Sequence, residues 1–118
     1  MNMSYVNMRN LLLDARAGGY AVGAFNIVNH LTAQAAVQKA AELSSPIILQ
    51  TSVSTVKQIG PKELISFLRV LAEEAPIPVA VHLDHCMDPE YVIHCLDLGW
   101  SSVMIDLSQA PFEKNLSE

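Results

Sequence analysis

The chain has 118 residues, of which 51% are hydrophobic and 16% charged, with a net charge of −5. This is the size of a single domain, here 1–118, that can bury its own core, and it is too apolar for disorder. An acidic balance without a basic cluster argues against nucleic acid or an anionic membrane surface as partner, and no apolar run approaches the roughly 18–20 residues of a membrane span.

Met1 to Arg9 lacks the basic, apolar and small-residue pattern of a secretory signal. The two cysteines, Cys86 and Cys95, form no CxxC pair and read as buried thiols of a reducing compartment. These features predict a cytoplasmic globular protein.

In chain order, residues 5–17 carry Val6, Leu11, Leu12 and Leu13 and predict a helix stopped by Gly18-Gly19. Residues 20–25 predict a buried strand, and 26–30 a polar loop. Residues 31–43 predict a helix with Ala35, Ala36, Ala40 and Leu43 on one side, broken by Ser44-Ser45-Pro46. Residues 46–52 are a second strand. Gly60-Pro61 opens a helix whose Leu64, Phe67, Leu68 and Leu71 have the spacing of one buried face, and Pro76 and Pro78 end it. Residues 79–83 are a third strand, Asp88-Pro89 starts a helix closed by Gly99, and 101–108 are a fourth strand. Pro111-Phe112-Glu113 begins another helix.

Near-continuous apolar strands alternating with helices predict an α/β fold with a parallel sheet, either a doubly wound open sheet or a (β/α)8 barrel. No glycine-rich phosphate turn follows the first strand, which disfavours the nucleotide-binding fold.

Polar residues stand at the end of every strand: Asn26; Gln50, Thr51 and Ser52; His82, Asp84 and His85; Asp106 and Ser108. In a parallel sheet these ends share one rim, where both architectures build their sites. Asn26 also suits a loop cap, and Ser52 and Ser108 suit turns. The third strand is richer in chemistry. Strand parity places His82 and Asp84 on one face and His85 on the other, and a chain that leaves the strand near Asp84 can turn His85 to the same rim. A carboxylate beside an imidazole there is what a metal site with an adjacent proton carrier requires. Asp106, flanked by Met104 and Ile105, needs a metal or a cation as partner. His94 and Cys95, mid-helix, read as packing residues.

The strings AFN at 24–26, PIILQTS at 46–52, PVAVHLDH at 78–85 and SSVMIDLSQAPFEKN at 101–115 resemble the class II, zinc-dependent ketose-bisphosphate aldolases, which act on fructose or tagatose 1,6-bisphosphate. The resemblance implies a (β/α)8 barrel, of which this chain supplies about the first four β/α units. It implies that Asp84 is the catalytic acid/base, that His85 binds Zn2+, and that Asp106 belongs to a second or alternate metal position, with room for a further divalent or monovalent cation. Ser52 is implied to bind the phosphate of the aldehyde half, Asn26 and Gln50 to lie near substrate, and His82 to support or pack. The family usually has glycine or alanine soon after the Ser52 position, where this chain has Val53-Ser54-Thr55-Val56.

The expected activity of the parent barrel is cleavage of a phosphorylated sugar to dihydroxyacetone phosphate and glyceraldehyde 3-phosphate. No lysine sits at a strand end for the Schiff-base route. The expected partners are a complementary C-terminal half or further copies of the chain, and the isolated chain is expected to be inactive. The competing expectation is a standalone, non-catalytic α/β module with weak metal or phosphate binding or an assembly role.

Overall fold

A computed structural model describes residues 4–118. Ten elements follow one another: α1 (Met8–Gly18), β1 (Gly23–Asn26), α2 (His30–Glu42), β2 (Ile47–Ser52), α3 (Val53–Ile59), α4 (Pro61–Glu74), β3 (Val79–Cys86), α5 (Pro89–Leu98), β4 (Ser102–Ile105) and α6 (Phe112–Ser117). The strands form one sheet in the order β1-β2-β3-β4, with every neighbouring pair parallel. All four C-terminal ends therefore lie on one rim, as the alternation predicts.

The helix boundaries follow from capping chemistry. The Asn7 side chain accepts from the Arg9 amide at the start of α1, and Gly19 ends that helix at φ 68°. Asn29 and Thr32 form a reciprocal capping box on α2. Asp88 caps α5 ahead of Pro89, and Gly99 closes it at φ 115°. Tyr5, expected inside the first helix, instead makes an isolated parallel bridge with Val79, and its hydroxyl donates to the Gly99 carbonyl.

The sheet has unequal faces. On one, Leu49, Val79, Val81 and Leu83 pack against Ala33 and Val37 of α2, Val56 of α3, Leu64, Leu68 and Ala72 of α4, and Val92 and Cys95 of α5. Truncating one of these large core residues to alanine costs about 2–5 kcal/mol. On the other face α1 covers the N-terminal end, with Leu11 packed on Ile48 and Ala80. Side chains alternate along a strand, so Gln50 and Asp84 stand on this same face nearer the rim, beyond the reach of α1.

Several expectations need correction. β1 is exposed along its whole length, with Phe25 56% accessible, because nothing among the described residues lies beyond that edge. The buried stripe of α2 is Ala33, Val37 and Ala40, whereas Ala35 is exposed and Leu43 is 63% accessible. α3, unassigned from sequence, starts directly after β2 because the Ser52 side chain accepts from the Thr55 amide and caps it. β4 ends at Ile105, before Asp106.

β3 runs on to Cys86 and carries a bulge. Leu83 pairs with Val103 and Cys86 with Ile105, so Asp84 and His85 together face Met104 alone. His85 takes the extra position with φ 45°, a left-handed conformation that side-chain-bearing residues rarely adopt.

Candidate active site

The bulge is what brings Asp84 and His85 to the same rim. With strict alternation they would point to opposite faces; the left-handed turn at His85 cancels that, and Cys86 returns to the helix-side core. His85 is exposed, whereas the side chains of Asp84 and Asp106 are only 18% and 17% accessible.

A chain of polar contacts crosses all four strand ends. The Gln50 amide nitrogen donates to Asn26 Oδ1 at 2.9 Å and to Asp84 Oδ2 at 3.1 Å. Asp84 Oδ1 lies 3.6 Å from His85 Nε2 and 4.0 Å from His82 Nε2. On the far side His85 Nδ1 meets Asp106 Oδ2 at 2.7 Å, and Asp106 Oδ1 accepts from the Ser108 amide at 3.0 Å. Asp106 thus finds its partners in a histidine and a backbone amide.

The electrostatics follow the geometry. Hydrogen bonds from Ser108, then from His85, hold the Asp106 carboxyl down at about 2. The same contact with Asp106, helped by the charge of Asp84, raises the His85 imidazole above its ordinary value. Burial lowers His82, against the pull of Asp84. His82 Nδ1 is bonded to Ser102 Oγ at 2.8 Å, a partner on the neighbouring strand that neither sequence segment announces by itself.

Ser52 sits at the same end of β2, in a cluster of three hydroxyls: its Oγ is 2.9 Å from Ser54 Oγ and 3.0 Å from Thr55 Oγ1. The string Ser52-Val53-Ser54-Thr55 was the available signal for that cluster. Deeper, Trp100 Nε1 donates to Thr51 Oγ1, which donates to the His82 carbonyl, each at 3.0 Å, locking β2 to β3 just behind the rim. His94 is exposed beside Tyr91 rather than packed, while burial pushes the neighbouring Cys95 thiol up to about 11.

One imidazole between two carboxylates suits zinc in kind: nitrogen and oxygen donors, with a carboxylate on the ring nitrogen that would not bind metal. It falls short in number, since no group of three His, Cys, Asp or Glu side chains among the described residues is arranged to hold a metal ion. The residues fit as part of a donor set.

Residues 6–118 match the profile of fructose-bisphosphate aldolase class-II. The chain belongs to this family. It is 43% identical over 115 residues to the D-tagatose-1,6-bisphosphate aldolase subunit GatY of Klebsiella oxytoca, covering 98% of this chain and 40% of that protein. It is 46% identical over 108 residues to a fructose-bisphosphate aldolase of Thermus caldophilus, covering 92% of this chain and 35% of the relative. The crystal structure of the YdjI aldolase of Escherichia coli K12 superposes with a TM-score of 0.89 at 26% identity, over 96% of this chain and 44% of that one. The chain therefore spans about two fifths of the length of these class-II aldolases, and its four parallel strands are a portion of the family's barrel.

Proposed function

We propose that this chain is the N-terminal half of a zinc-dependent ketose-bisphosphate aldolase, acting on a fructose- or tagatose-type 1,6-bisphosphate once a complementary half completes the barrel. The observation that carries this reading is the bulge in β3, which sets the Asp84 carboxylate 3.6 Å from His85 Nε2 on an open rim. A proton carrier and a metal-binding nitrogen are thereby adjacent, as cleavage of a bond next to a hydroxyl-bearing carbon requires.

Zinc would be held in part by His85 and would supply Lewis-acid stabilisation of the charge that develops on the ketone half. Everything else falls to the chain's own groups. Asp84 takes the hydroxyl proton as the aldehyde departs and returns it in condensation. Gln50 holds Asp84 through Oδ2, leaving Oδ1 for that proton. Asn26, whose oxygen is taken by Gln50, has its amide nitrogen to offer a sugar oxygen. The hydroxyls of Ser52, Ser54 and Thr55 are the donors for the aldehyde-side phosphate. Alone, the chain has too few metal donors for a catalytic zinc, which takes about three protein ligands, and is inactive.

The test is zinc-dependent cleavage of both bisphosphates by the chain alone and by the continuous barrel polypeptide. Activity is expected only in the latter. There Asp84→Ala should cut turnover at least ~100-fold with zinc retained, and His85→Ala should release zinc. Lost zinc in Asp84→Ala with retained zinc in His85→Ala would reverse the two roles, and activity of the chain alone would make it a complete small enzyme.

A further inference from the structure

We propose that Asp106 is a positioning residue: it fixes His85 as the Nδ1–H tautomer, so that Nε2, the nitrogen on the Asp84 side, is the ring's open donor atom. This deepens the aldolase reading, on which its catalytic meaning rests.

Both oxygens of Asp106 have a partner. One oxygen is 2.7 Å from His85 Nδ1, and the other accepts the Ser108 amide at 3.0 Å. The Asp106 backbone amide donates to the Cys86 carbonyl at 2.8 Å, tying it to the residue that closes the bulge. A carboxylate accepts and does not donate, so the proton in the short contact belongs to the imidazole.

At the other end of the ring, Nε2 makes no hydrogen bond of ordinary length. Asp84 Oδ1 is 3.6 Å away, and Asp84 is held from behind by Gln50. A histidine with one nitrogen tied to a carboxylate and the other open is the arrangement that sets both the tautomer and the direction of a metal–nitrogen bond. Here it points that bond at the space shared with the proton carrier. Without Asp106, an exposed imidazole in a strained, left-handed position has nothing to prefer Nδ1–H, and water favours the Nε2–H form.

The experiment needs neither metal nor substrate, so its failure is distinct from failure of the aldolase reading. The 118-residue chain is prepared with 15N-histidine, and the ring nitrogens are read by long-range proton–nitrogen correlation at a pH where the rings are neutral. The His85 signals are identified by their loss in His85→Gln. In the wild type, Nδ1 is expected to be pyrrole-like and Nε2 pyridine-like. Asp106→Ala should exchange the two signatures, and Asp106→Asn, which keeps an accepting oxygen, should restore the wild-type pattern. An Nε2–H wild type would overturn the proposal even if Asp106→Ala failed to fold. So would an Asp106→Ala chain with otherwise unchanged amide signals that kept Nδ1–H. The expected tautomers together with a barrel that cleaves neither bisphosphate would sink the aldolase reading and leave this one standing.

Discussion

Gln50 is the residue on which the Asp84 side of the rim turns. Both hydrogens of its amide are engaged, one by Asn26 and one by Asp84, an arrangement suited to holding that carboxylate in place. Gln50→Leu keeps the bulk and removes both donors. A lost hydrogen bond to a charged group is worth about 1.5–3 kcal/mol, and in the complete barrel polypeptide the turnover number should fall about 10–100-fold with a smaller change in KM. A change confined to KM would mean that Gln50 contacts substrate instead. His82 offers a second test, through pH. Its folded-state value is lowered by burial, so the folded chain binds fewer protons than the unfolded one as pH falls below 6.5. The stability this histidine contributes is present above 6.5 and is lost as pH drops through the lowered value. Urea melts should therefore weaken below pH 6.5 in the wild type, and His82→Gln should flatten that part of the profile. An unchanged slope would show that His82 titrates alike in both states.

At the scale of elements, the bulge in β3 makes a stability prediction that separates side chain from backbone. His85 stands at φ 45°, where a Cβ costs roughly 1–2 kcal/mol that glycine avoids. Both His85→Ala and His85→Gly lose the contact with Asp106, yet the glycine variant should be the more stable by about 1 kcal/mol in chemical denaturation. Equal stabilities would mean that the turn relaxes once the imidazole is gone. No feature of the string Leu83-Asp84-His85-Cys86 announces this turn, and strand parity alone sends His85 to the wrong face. The helix–strand alternation was legible because punctuation marks it: Gly60-Pro61, Pro76 and Pro78, Asp88-Pro89 and Gly99. α3 was not, since Ser52 is at once the last residue of β2 and the cap of the next helix, leaving no break to read. The rim residues were found because polar side chains at the ends of apolar strands are conspicuous. How they pair across strands depends on register, which no single strand contains.

At the scale of the molecule, the sheet has two open edges among the described residues. β1 exposes all four of its residues, and Met104 and Ile105 of β4 are 37% and 42% accessible. An apolar cleft of about 680 Å3 runs beside β1, lined by Tyr20, Phe25, Ala36, Ala40, Leu43 and Ile47. The apolar composition of β1 predicts burial, yet nothing among the described residues covers it. Neither edge strand carries the lysine or proline that natural edges use against pairing. The isolated chain should therefore self-associate, with a mass by light scattering that rises with concentration. Phe25→Lys, which puts a charge on the β1 edge, should shift it toward the monomer. A monodisperse wild-type monomer would show that the edges are protected in solution.

The doubled step at Asp84 and His85 has a consequence for anyone transplanting or shortening this rim. Consecutive residues of a pleated strand cannot serve one surface, so a carboxylate and an imidazole adjacent in sequence can act together only if the strand slips its phase between them. Deleting either residue would put the pleat back in step, leaving Cys86 in its core position and only one of the two reactive groups on the rim. Replacing both while keeping the count would preserve the slip and leave it without purpose. Spacing within the motif is therefore as much a requirement as composition, and a graft that copies the side chains onto a regular strand would carry the letters without the geometry.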